Sequence, residues 1–259
     1  MKHLKDLGFG SKSLDAVTVE EADQVIDSFL NTKDGIIQMK NNFNAALINV
    51  IWQIVASKKF DPDAEQTKYI IDLMKAQSKN RYSKIMFFPT LFKILPFREV
   101  DKKLFELKAI MERFVLEHKE TIDYDNPRDF IDVYLSQMKL DENFNEQQLV
   151  VECLDFFEAG AETTSTTLLW AVLMMCLNPN VQAKCQLEVQ DKIGSRSPTI
   201  DDIVDLPYVL ATLTDIQRIG IIAPASLPHY LMKDTLIKGN LRILMPFRFY
   251  AQRKNFVKT

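Results

Sequence analysis

Glu158-Ala159-Gly160-Ala161-Glu162-Thr163-Thr164-Ser165-Thr166-Thr167 is the stretch that decides how this 259-residue chain is read. It lies in the middle of the longest helix that the sequence predicts. Asn145 is placed to cap that helix, with Gln148 reaching back as in a capping box, and Asn178-Pro179 stops it. The span is about 32 residues, or roughly 48 Å at 1.5 Å per residue, long enough to cross a whole domain. A glycine and four threonines are poor choices for a helix interior. Each costs several tenths to about 1 kcal/mol relative to alanine, so the segment serves something besides helix stability.

Leu149, Val150, Cys153, Leu154, Phe156 and Phe157 precede the stretch, and every residue from Leu168 to Leu177 is apolar, which predicts burial on all sides. That run is too short to cross a bilayer and follows two acids, Glu158 and Glu162. The helix is therefore expected to pass through the centre of a globular protein, its packing opening between Gly160 and Thr167. Glycine and alanine let another group approach the backbone closely, while Glu162 and Thr163 offer an acid and a hydroxyl. A buried cofactor or substrate suits that combination. A purely structural reading stands beside it: Glu158 and Glu162, at i,i+4, share a solvated face, and the threonines bond back to the preceding turn and bend the helix.

The composition, 47% hydrophobic and 26% charged, is that of a globular chain with a sizeable core. A net charge of −3 supplies no basic field for nucleic acid. Cys153, Cys176 and Cys185, all within helical patterns, read as reduced thiols of an intracellular protein rather than a disulfide framework. Lys2, His3, Lys5 and Asp6 interrupt any apolar run at Met1, so no signal peptide or membrane span is expected there. With 7 glycines, 10 prolines, no repeat and no low-complexity linker, the expectation is a mainly α, single domain over 1–259 with no internal boundary.

Further helices are predicted over 18–30, 41–57, from Asp61-Pro62 through Met74, over 101–122, from Pro179 to Gly194 and from Pro207 to Gly220. Val181, Cys185, Val189 and Ile193 recur at every fourth position, a stripe expected to pack into the core. Lys238-Gly239-Asn240-Leu241 predicts a tight hairpin between Leu236-Ile237 and Arg242-Ile243, a small C-terminal β appendage. The apolar stretch from Ile85 to Phe97 is broken by Pro89 and Pro96 and so is neither one helix nor a membrane span. It either covers a pocket or dips into a membrane interface, or it packs in the core.

Ala159-Gly160-Ala161-Glu162-Thr163-Thr164 matches the pattern small-Gly-x-acid-Thr-Thr on the central helix of the cytochrome P450 haem-thiolate monooxygenases. Leu206-Pro207-Tyr208 with Thr214-Asp215-Ile216-Gln217-Arg218 resembles that family's next conserved helix, and Leu227-Pro228-His229 with Lys233-Asp234-Thr235 the strand after it. Pro127-Arg128-Asp129-Phe130-Ile131-Asp132 resembles a segment typical of the microsomal branch. The landmarks stand in the family's order and cover nearly the whole chain. The resemblance implies a partial cytochrome P450 fold with a long central helix and a small C-terminal β-hairpin. It further implies haem as cofactor, a small apolar substrate, NADPH electrons delivered by a flavoprotein reductase, and an endoplasmic reticulum membrane for the full-length parent.

By the same resemblance Thr163 is the oxygen-side hydroxyl and Glu162 the acid of a proton relay, with Ala159 and Gly160 small because the porphyrin lies against them. His229 is either a surface histidine or the partner of a haem propionate. Asp215 and Arg218, at i,i+3, are either an exposed ion pair or the family's buried structural pair, in which Asp215 is one methylene shorter than the usual glutamate. The family's axial ligand is a cysteine in a glycine-rich loop near the C-terminus, and no cysteine follows Cys185. The tail from about Leu241 also loses the resemblance, and the segments that would carry the membrane anchor and the propionate-binding helix are not matched. The chain is therefore expected to be a fragment of about half a family member, whether biological or from a truncated gene model, and inactive as written. The alternative is a non-catalytic helical module that binds an apolar ligand or partner.

Overall fold

In the computed structural model, the described residues are 12–32, 35–39, 42–61, 64, 65, 67–73, 99–223 and four three-residue strands between 228 and 250. The Ile85–Phe97 stretch, with both of its readings, lies outside them. Seven helices have described ends: α1 (Lys12–Leu30), α2 (Asn44–Ala56), α3 (Glu99–Thr121), α4 (Phe130–Met138), α5 (Glu146–Leu177), α6 (Pro179–Lys192) and α7 (Pro207–Ile219), with a 3₁₀ turn at Ile200–Asp205; residues 67–73, in the stretch expected to be helical from Asp61-Pro62, are helical too. Contacts group the chain into two units, Met1–Ile216 and Gln217–Thr259. The division falls inside α7 and not in a linker.

The first unit is mainly helical, as the sequence predicts. α5 has the expected ends: Asn145 is extended and its side chain accepts from the Gln148 N–H at 2.9 Å, while Asn178 stops the helix and Pro179 opens α6. α2 closes on Ser57 in the left-handed conformation (φ 49°), whose N–H returns to the Gln53 carbonyl. The core forms where α2, α3 and α4 meet the first half of α5. Trp52 of α2, fully buried, makes edge contacts with Phe114 of α3 at 5.0 Å and Phe157 of α5 at 5.2 Å between ring centroids. Such pairs add about 0.5–1.5 kcal/mol each beyond the area they bury. α1 is tied on by a polar knot, in which buried Asn49 donates to Glu21 Oε2 and to the Phe60 carbonyl and accepts from the Phe60 N–H.

Two packing expectations are corrected. The apolar run Leu168–Leu177 is not buried on all sides: Leu173 is 47% and Leu177 64% exposed. The buried residues of α5 run from Leu149 to Ser165, because only that half is enclosed by α2, α3 and α4. The stripe on α6 is likewise not core, since no residue of α6 is buried. Polar contacts dock that helix instead. Both oxygens of Glu188 accept the first amides of α7, from Tyr208 N (3.0 Å) and Val209 N (2.8 Å), and Cys185 Sγ donates to Thr212 Oγ1. Every-fourth spacing reports a face, and here that face is only partly covered, with Val181, Cys185 and Ile193 half-buried and Val189 exposed.

In the second unit β1 (Pro228–Tyr230) pairs antiparallel with β4 (Arg248–Tyr250), and β2 (Thr235–Ile237) with β3 (Leu241–Ile243). The turn 238–240 between β2 and β3 lies outside the described residues. No helix among the described residues is long and apolar enough to cross a membrane.

The segment Pro127–Asp132 becomes an ionic clasp between α3 and α4, with His118, Asp129 and Asp132 buried and Arg128 at the surface. Asp129 caps α4 by accepting from Asp132 N at 3.0 Å. The Arg128 guanidinium grips both Asp132 oxygens, at 2.6 and 3.0 Å. His118, at the end of α3, donates Nδ1–H to the Phe114 carbonyl (2.7 Å) and Nε2–H to Asp129 Oδ2 (2.9 Å). A carbonyl on one ring nitrogen and a carboxyl oxygen on the other favour the protonated ring. Burial alone would lower the His118 pKa, but the Asp129 hydrogen bond and charge, helped by the Phe114 carbonyl, leave it above the ordinary histidine value.

A pKa raised on folding contributes stability that is fully present below about pH 6.5 and is lost as pH rises through the folded-state value. His118→Asn, which leaves Asp129 buried without its cation, is expected to cost about 3 kcal/mol at pH 6. Urea unfolding over pH 6 to 9 should show the gap between the two proteins narrowing as pH rises. A gap that stays constant or widens contradicts the imidazolium assignment.

Candidate functional site

Between Glu158 and Thr167, α5 shows different faces to different surroundings. Ala161 and Ser165, at i,i+4, are buried towards the core. Gly160 stands against α2: a Cβ built on it would overlap Ile51 Cδ1 and lie 3.1 Å from Ile51 Cγ1. A side chain at this position would have to displace the end of Ile51, a packing reason for glycine that the sequence alone did not supply. Ala159 and Thr163, also at i,i+4, lie together on an exposed face.

The two polar side chains singled out by the sequence point to different partners. Thr163 Oγ1 donates to the Ala159 carbonyl at 2.8 Å, and Thr167 Oγ1 to the Thr163 carbonyl at 3.0 Å, the back-bonded arrangement that the structural reading describes. The Thr163 proton is committed to its own helix, so a group above this face meets the lone pairs of its oxygen. Glu162, half-buried, is met instead from α2: Asn44 Nδ2 donates to Glu162 Oε2 at 3.3 Å, and Ser165 Oγ donates to Asn44 Oδ1 at 3.1 Å. Asn44 and Ser165 are the site residues that sequence reading missed. Ser165 stood in the quoted stretch, but nothing in the sequence signals that residue 44 faces residue 162.

Asp215 and Arg218 are both exposed on α7. His229 lies on β1 of the second unit, in register with Phe249 of β4. Their expected roles, the structural pair and the propionate contact, remain readings by resemblance.

Among the described residues one cluster has metal-ligand composition: donor atoms of His118, Asp129 and Asp132 lie within 4.8 Å of one another. All three already take part in the clasp, the His118 ring with Phe114 and Asp129 and the Asp132 carboxylate with Arg128, which accounts for their closeness without an ion. A haem-thiolate centre needs a deprotonated, accessible cysteine. Cys153 is buried, and burial, with the charges of Asp129 and Glu152, pushes its thiol up to about 12. Cys176 is exposed in the last turn of α5, and Cys185 bonds Thr212 on α7. By the resemblance the axial ligand is a cysteine of a C-terminal loop, and all three of these cysteines lie in α5 or α6. Ala159 and Thr163 leave an exposed face with short side chains, an arrangement that suits the approach of a flat group.

Comparison with known proteins agrees with the landmarks. Residues 2–246 match the family model described as Cytochrome P450. Among curated proteins, Cytochrome P450 2B4 of Oryctolagus cuniculus is 34% identical over 248 residues, covering 91% of this chain and 50% of that protein. Cytochrome P450 2B19 of Mus musculus is 34% identical over 250 residues, covering 92% and 51%. Cytochrome P450 2J3 of Rattus norvegicus is 33% identical over 248 residues, covering 91% and 49%. The chain thus spans about half the length of the curated relatives it matches.

Gly160→Ala tests the packing reading of the site. Alanine gains about 1 kcal/mol of helix propensity over glycine. Displacing Ile51 costs at least as much, within the usual range of about 1–3 kcal/mol for overpacking. Gly160→Ala should bring no net stabilisation in the parent chain and about 1 kcal/mol in an Ile51→Ala background, measured by chemical denaturation. Stabilisation in the parent chain contradicts the close approach.

Proposed function

The chain belongs to the cytochrome P450 family, and we propose that it carries the distal wall of a haem-dependent monooxygenase site whose parent oxidises a small apolar substrate. In that reading electrons come from NADPH through a flavoprotein reductase, and the parent works at the endoplasmic reticulum membrane. The observation that carries the proposal is the sorting of one short stretch. Gly160 is spent on packing against α2, while Ala159 and Thr163 remain side by side on an exposed face with Glu162 on the flank.

Each residue has a defined task. Ala159 leaves room for a flat group above the helix. Thr163 presents an acceptor oxygen beside it, and Glu162 is the ionisable group from which a proton is passed towards the hydroxyl. His229 is the propionate partner, and Asp215 with Arg218 the structural pair. The chain is one incomplete domain: the division between its units interrupts a continuous helix, where independent domains are joined by exposed linkers. No step is assigned to the iron, because by the resemblance its ligand is a cysteine of a C-terminal loop, and the three cysteines of this chain lie in α5 or α6.

This predicts a distal wall without oxygen activation. The chain, expressed with haem, reduced and exposed to carbon monoxide, should show no thiolate-type Soret band and no NADPH-dependent turnover with a reductase. A thiolate-type band would overturn the assignment of an incomplete site.

A further inference from the structure

The geometry points to Asn44 as a positioning residue for the Glu162 carboxylate, fixed in its own orientation by Ser165. Asn44 is the first residue of α2, next to the cap position at which an asparagine commonly bonds the free amides of its own helix. It does not do this here: the cap position is Phe43, and no side chain caps the helix. The Asn44 amide is instead 4% exposed and aimed across at α5.

Donor and acceptor chemistry fixes the direction of this chain of bonds. The Glu162 carboxylate offers lone pairs only, so the amide nitrogen of Asn44 must face it, at 3.3 Å. The amide oxygen then faces Ser165, whose hydroxyl donates at 3.1 Å and is itself 3% exposed. Glu162 and Ser165 are one turn apart on α5, so the asparagine bridges two residues of that helix from α2. A buried amide left unpaired costs about 1–3 kcal/mol, which makes the amide a rigid strut once both bonds are formed. Its effect is to hold the acid on the α2 flank at a set distance from the exposed Ala159–Thr163 strip. The assignment rests on Glu162 being the relay acid, and it adds the residue that decides where that acid stands.

The test uses the full chain without haem, so its outcome is independent of the carbon monoxide spectrum that tests the family site. In a chain carrying glutamate labelled with ¹³C at the carboxyl carbon, the Glu162 line is identified by its loss in Glu162→Gln. Asn44→Ala should move that line to the position of freely exposed glutamates, whereas Thr163→Val should leave it in place. Asn44→Asp sets two carboxylates against each other and should lower the folding equilibrium constant about tenfold at neutral pH. Adding Glu162→Gln to Asn44→Asp restores a donor–acceptor pair with the roles reversed and should recover most of that loss. A merely space-filling Asn44 would not be rescued in this way. The inference is overturned if the Glu162 line is unmoved in Asn44→Ala, or if the double variant is no more stable than Asn44→Asp. Should Asn44→Asp fail to fold, the carbon line in Asn44→Ala decides alone.

Discussion

Ile51 of α2 reaches into the volume in which a side chain on residue 160 would stand, within the close packing of α2 against α5 around which the core is built. With α2 this close, Trp52 reaches Phe157 on one side and Phe114 on the other, joining α2, α3 and α5 through a single indole. Ala161 and Ser165 continue the same seam along α5. Gly160 therefore trades about 1 kcal/mol of helix propensity for interhelical packing. A helix interior rich in small residues was the first sign of this in the sequence, although the sequence did not say which neighbour required it.

The same approach sorts the polar groups. Because α2 lies against one flank, Glu162 falls within reach of Asn44, while Thr163, about 100° further round the helix, is left on the open side. An acid and a hydroxyl adjacent in sequence are thus given different surroundings, one braced and one exposed. The clasp of His118, Asp129, Asp132 and Arg128 is a separate device: it joins the end of α3 to the start of α4 with its charges paired.

The helical class of the first unit, both ends of α5 and the start of α6 were legible because they rest on local chemistry: Asn145 as cap, Asn178-Pro179 as stop. The motif Ala159–Thr164 was legible as a family landmark, and the back-bonding of Thr163 and Thr167 as its structural counterpart. What could not be read was set by contacts distant in sequence. Asn44 and Glu162 are 118 positions apart, and no local pattern links them. His118 stands 11 residues before Asp129, on a different helix. The apolar residues from Leu168 onward misled because hydrophobicity reports a demand for burial, whereas burial requires a partner that the described residues do not provide.

The central claim is that α5 is two helices in energetic terms, a packed half ending at Ser165 and an open half beyond it. Native-state amide hydrogen exchange along α5 measures this directly. Amides from Cys153 to Ser165 should exchange only through global unfolding, while those from Leu169 to Leu177 should exchange through local opening, orders of magnitude faster. Uniform protection from Cys153 through Leu177 would contradict the account, for it would mean that the apolar second half is as well packed as the first.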